Sequence, residues 1–77
     1  MIFDHIEWDE YNLDHATKRL TAAEIEQAIW DATTASRHRS EADRRLIRSA
    51  TDGGKRVILI VQLIDNGVRP ITGWEAE

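Results

Sequence analysis

The sequence predicts an α+β fold: two N-terminal helices packed on a mostly antiparallel sheet, in the chain order β-α-α-β-β-β-β and ending in a three-stranded meander. Three observations carry this. Val57–Leu63 is apolar at every position but Gln62 and rich in β-branched residues, which describes a central strand buried on both faces and leaves no helical stripe. Turn residues separate it from a strand-like stretch on either side, giving strands over 44–51, 56–63 and 68–74. Ahead of them, Asp9 and Thr21 each stand where a helix start needs a capping side chain.

Each element follows from its own residues. Ile2 to Trp8 alternates roughly between apolar and polar and reads as a short first strand. With Asp9 as N-cap, Trp8 and Leu13 are spaced for a hydrophobic staple. In the helix that follows, Leu13, Ala16, Thr17 and Leu20 share a face for packing, and Tyr11, His15, Lys18 and Arg19 share one for solvent or ligand. Thr21 and Glu24 form a capping box and Leu20 can staple on Ile25, so a second helix runs from about Ala22 to Asp31 with an apolar stripe of Ile25, Ala28 and Ile29. Thr33 to Ser40 has no helical period and reads as a short strand or extended loop, after which Arg44 to Thr51 alternates as a half-buried strand does. Asp52-Gly53-Gly54-Lys55 is a turn whose two glycines supply positive φ, and Asp65-Asn66-Gly67 is a hairpin turn. Pro70 cannot donate to a ladder, which puts the last strand at an edge or at a bulge. Trp8 and Trp30 stand at packing positions, whereas Trp74 caps the sheet, stacks a base or is buried by a partner.

With 77 residues the chain reads as a single domain over 1–77, of a size that buries roughly 60% of the surface its unfolded form exposes. It has no cysteine, so neither disulfides nor thiolate metal sites staple it. The longest apolar run, Val57–Val61, is far short of a membrane span, and the N-terminus lacks a basic region followed by an apolar one, so a cytoplasmic protein is expected. The net charge of -4 is unevenly distributed: residues 1–36 carry two basic and eight acidic side chains, and residues 37–56 carry seven basic and three acidic ones. Such a split predicts one anionic and one cationic face.

No phosphate-binding glycine loop, nucleophile elbow or histidine pair at metal-ligand spacing occurs, so neither a metal nor a cofactor is expected. What remains is a cationic constellation of Arg37, His38, Arg39, Arg44, Arg45 and Arg48, with His15, Lys18 and Arg19 from the first helix. Cleaving RNA without a metal needs a base for the 2′-hydroxyl, an acid for the leaving oxygen and positive charge beside the phosphate. Histidine and arginine supply those roles. The plainer reading is a solvated strand edge whose arginines pair with Glu41 and Asp43.

The sequence Ile6-Glu7-Trp8-Asp9-Glu10, then Asn12 and His15, then Leu20-Thr21-Ala22-Ala23-Glu24-Ile25, then Thr51-Asp52-Gly53-Gly54-Lys55-Arg56, and finally Val68-Arg69-Pro70-Ile71-Thr72 resembles the BrnT family of bacterial toxins. The resemblance runs from residue 6 to about 76. It implies a RelE-like fold and the toxin half of a type II toxin–antitoxin pair: a metal-independent endoribonuclease that inhibits translation and is neutralised by a DNA-binding antitoxin, as a homodimer or a heterotetramer with it. It implies catalytic roles for His15, Arg48 and Arg69, His15 as proton-transfer group or phosphate ligand and the arginines as phosphate clamps. Lys18, Arg19, Arg37, Arg39, Arg45 and Arg56 are the further expected RNA contacts, and Trp74 the expected partner contact. The chain departs from the family at Lys18-Arg19, Ser49 and Gly73-Trp74, and the acidic Glu75-Ala76-Glu77 stands where the family has a basic C-terminal helix, so a shortened member is expected.

A different class stays open beside it: a non-catalytic interaction domain that binds a partner chain through the sheet edge near Trp74. A plain nucleic-acid-binding module fits less well, because the overall negative charge opposes non-specific phosphate neutralisation. The nuclease expectation requires the guanidinium groups to converge on the side of His15 in one anion-holding pocket.

Overall fold

Reciprocal capping sets where both helices begin. The structure, a computed structural model, describes residues 3–37, 42–65 and 67–76. The expectations for Ile2, His38, Arg39, Glu41 and Asn66 lie outside the described residues. Helix α1 spans Glu10–Ala16. Its cap Asp9 accepts the Asn12 amide at 2.9 Å, while the Asn12 side chain accepts the Asp9 amide at 2.6 Å. Helix α2 spans Ala22–Asp31, and Thr21 and Glu24 form the expected box at 3.1 and 2.9 Å. Each box satisfies two backbone donors that a helix start otherwise leaves unpaired.

Three expectations for the helices are corrected. Helix α1 closes at Ala16, where the Thr17 amide and hydroxyl both donate to the Leu13 carbonyl, so Lys18 and Arg19 lie in the turn beyond it. Leu13 is 41% exposed rather than packed, and Trp8 is drawn toward α2, its indole N–H donating to Glu26 at 2.8 Å. Trp30 is 38% exposed: it lies off the stripe formed by Ile25, Ala28 and Ile29, the residues that α2 buries.

The strands are β1 (His5–Ile6), β2 (Ser36–Arg37), β3 (Arg44–Ala50), β4 (Arg56–Ile64) and β5 (Gly67–Glu75), so the chain runs β-α-α-β-β-β-β. They form one mixed sheet in the order β1-β5-β4-β3-β2, with β4 in the centre as its sequence demands. Strands β3, β4 and β5 make the antiparallel meander, β2 adds to β3 antiparallel, and β1 pairs with β5 in parallel. Pro70 sits at a bulge: Ile60 opposes Thr72 and Val61 opposes Pro70, leaving Ile71 as the extra residue. In the β3–β4 turn Gly54 alone takes positive φ, at 87°.

Partners across an antiparallel pair point to the same face, so the registers sort every side chain. Ile47, Val57, Leu59, Val61 and Val68 meet Ala16, Leu20, Ile25, Ala28 and Ile29 in one core under the helices. Polar ties fasten α2 to this face: the Ser49 hydroxyl donates to the Ala28 carbonyl at 2.6 Å, and Lys55 pairs with Glu24 at 2.7 Å. The Lys55 ammonium holds the Glu24 carboxyl below its ordinary range, and Glu24 raises Lys55 in return. Gly73 lets β5 approach this core closely, since a Cβ there would lie 2.6 Å from a Leu59 methyl and 3.3 Å from a Leu20 methyl. The opposite face is only partly shielded, with Leu46, Ile58, Thr72 and Trp74 half-buried, so β4 is not sealed on both sides. Among the described residues no helix is long and apolar enough to cross a membrane.

Candidate functional site

The second sheet face is organised in rows fixed by strand register. Arg44, Gln62 and Arg69 form the first row, Leu46, Ile60 and Thr72 the second, Arg48, Ile58 and Trp74 the third, and Ala50 with Arg56 the last. Cations thus stand at both ends of the face with an apolar band between them.

Helix α1 meets the first row. Tyr11, Asn12 and His15 line a pocket of about 230 Å3 together with Arg44, Gln62 and Arg69. Asn12, only 2% exposed, is locked by its capping bonds and by its amide donating to the Glu7 carbonyl at 3.0 Å, which fixes the helix against the pocket. One turn on, His15 is exposed and stacks against Tyr11 with ring centroids 4.4 Å apart. Arg69 carries two carboxylates, Glu7 at 3.2 Å and Asp9 at 2.8 Å. The Asn12 amide first, and Arg69 after it, hold the Asp9 carboxyl below its ordinary range. Gln62 is oriented by donating to Asp43 at 2.9 Å.

A second, wider hollow of about 740 Å3 opens at the far end of the face, where Arg48 and Arg56 stand with Asp31, Thr33, Ser49 and Ile58. Among the described residues no histidine lines it.

The expected sites therefore separate. His15 and Arg69 come together, and Arg44 joins them. Arg48 and Arg56 come together two and three rows away, because α1 crosses β5 and not the far end of β3. Arg37 and Arg45 are cross-strand partners on the helix side of the sheet, and the Arg45 guanidinium is turned back onto the Ala42 and Arg44 carbonyls, both at 2.8 Å. Lys18 and Arg19 are exposed in the turn after α1, and Arg39 lies outside the described residues. Trp74 is half-buried in the third row beside Ile58. A single pocket gathering every guanidinium on the side of His15 does not form.

The chain matches no protein-family model, no curated protein and no solved structure.

The sequence places Tyr11 on the ligand-facing side of α1 with His15 and sets Asn12 beside His15 in the family resemblance, but assigns no site role to Tyr11, Asn12 or Gln62. Signals for them were present: Gln62 is the one polar residue in an apolar strand, and Tyr11 precedes His15 by one helical turn. Asn12 stands three residues after the cap Asp9, the position from which a side chain returns to the cap amide. Among the described residues no three His, Cys, Asp or Glu side chains cluster as metal ligands do. The pocket instead offers two guanidinium groups, an imidazole and a side-chain amide, a donor-rich set that suits a phosphate oxygen and a neighbouring hydroxyl.

Proposed function

We propose that this chain binds RNA across the open sheet face and is a toxin-type endoribonuclease domain, with its phosphate pocket at His15, Arg44 and Arg69. The observation that carries the reading is that His15 and Arg69, from opposite halves of the chain, line one pocket with Arg44. His15 then holds or moves a proton at the 2′-hydroxyl or the leaving oxygen, and the two arginines neutralise the phosphate. Arg48 and Arg56, at the far end, grip the backbone of the same strand. The β-α-α-β-β-β-β order and the residue blocks from Ile6 to Thr72 support assignment to a BrnT-like, RelE-like domain acting in the cytoplasm and neutralised by a DNA-binding antitoxin.

Induced expression should arrest growth, and purified protein should cleave ribosome-bound or free RNA. His15→Ala and Arg44→Ala should abolish cleavage with the fold intact. Cleavage at the wild-type rate in both variants removes the pocket from the mechanism.

One observation favours the second reading, a non-catalytic domain that binds a partner chain. Glu7 and Asp9 already occupy Arg69, and Trp74 stands with Ile58 and Arg48 on a half-buried face, an aromatic–arginine grouping typical of interface anchors. That reading predicts no growth arrest on expression alone and a stable complex lost in Trp74→Ala.

A further inference from the structure

Tyr11 is 70% exposed, the most exposed of the large hydrophobic side chains among the described residues, although a tyrosine ring is costly to leave in water. Its ring is not randomly placed. It stacks on His15 at 4.4 Å with a 34° tilt and stands at the lip of the pocket lined by Arg44, Gln62 and Arg69. A pair one turn apart also steadies a short helix. That role uses one side of the ring, and the rest stays in solvent beside a cationic pocket.

We infer that Tyr11 is a base-stacking platform: a nucleotide whose phosphate lies against Arg44 and Arg69 lays its base on the tyrosine ring, so the pocket takes single-stranded RNA. This rests on the RNA-binding reading above and names the strand class it accepts. Stacking is open only to a base outside a duplex, and every base offers a π-face, so the contact selects unpaired RNA with little regard to sequence. His15 beneath the ring fixes its plane in advance, which lowers the ordering cost of the stack. Gln62, held by Asp43, faces the same pocket with a carbonyl and an amide donor for the sugar or base edge.

The test is fluorescence anisotropy of the full chain with a labelled short single-stranded RNA, the same strand in a duplex, and the same strand carrying abasic sites. Wild-type protein should bind the intact single strand most tightly. Tyr11→Ala should bind it about tenfold more weakly and lose the preference over the abasic strand, while Tyr11→Phe keeps both. Equal binding of intact and abasic strands by wild-type protein, or wild-type affinity in Tyr11→Ala, overturns the inference and leaves the RNA-binding reading standing. Absence of any RNA binding by wild-type protein overturns both together.

Discussion

Replacing Arg69 with alanine separates its structural role from the phosphate-binding role proposed for it. Structurally it joins β5 to the chain ahead of α1, with one nitrogen 3.2 Å from Glu7 and another 2.8 Å from Asp9. Those carboxylates are 48% and 43% exposed, so water replaces the arginine readily and the folded state should lose little. An RNA phosphate, by contrast, would meet Arg69 in a pocket where the side chain is 26% exposed. A charge-assisted hydrogen bond there is worth about 1.5 kcal/mol at the low end of its range, or roughly tenfold in affinity. The low end applies because the phosphate must first displace Glu7 or Asp9. That competition supplies a second arm: Glu7→Gln keeps the shape, removes one competing charge and should tighten RNA binding about two- to fivefold. Thermal melts and anisotropy on wild type, Arg69→Ala and Glu7→Gln would read both effects. A collapse of melting temperature in Arg69→Ala with RNA affinity unchanged would refute the argument and make Arg69 a structural tie only.

Two further predictions concern the frame around the pocket. Gly73→Ala forces a methyl to within 2.6 Å of a fully packed Leu59 and should destabilise the chain by about 1–3 kcal/mol, seen as a lower denaturation midpoint that Leu59→Val partly restores; an unchanged midpoint in Gly73→Ala would mean β5 has slack there. Asp9 and Glu24 titrate below their ordinary range when folded, so the stability they contribute is complete above that range and drains away as pH falls through the lowered values. Lys55 is raised, so its contribution holds below the ordinary lysine range and is lost as pH climbs through the raised value. Melting temperature should therefore fall at both extremes, Glu24→Gln should flatten both limbs, and limbs parallel to wild type in that variant would contradict the pairing.

The parts of the fold legible in the sequence are those decided by neighbouring residues. Val57–Leu63 is central because its composition suits no exposed position, Thr21 and Glu24 cap α2 because their spacing permits little else, and Pro70 falls at a bulge because it has no amide to give. What escaped local reading was decided across the chain. Parallel pairing of β1 with β5 has no signature in the four residues concerned. Trp8 packs against the core as its position suggests, but its indole N–H bond to Glu26, on the other helix, has no local signal. For the site, residue type was legible and placement was not. Arginines 44, 45 and 48 lie within five residues, yet alternation sends Arg45 to the helix side, and two rows of the sheet part Arg44 from Arg48.

The pairing of Glu7 with Arg69 spans 62 positions of the chain, as does the parallel contact between β1 and β5 beside it. Local turns close the β3–β4–β5 meander cheaply, whereas a contact across 62 positions costs more loop-closure entropy and is expected to follow it. Arg69 and His15 belong to the two segments brought together by that closure, so pulsed hydrogen exchange during refolding should protect the meander before the pocket. The pocket is thus a product of the fold's longest described closure and not of either segment alone.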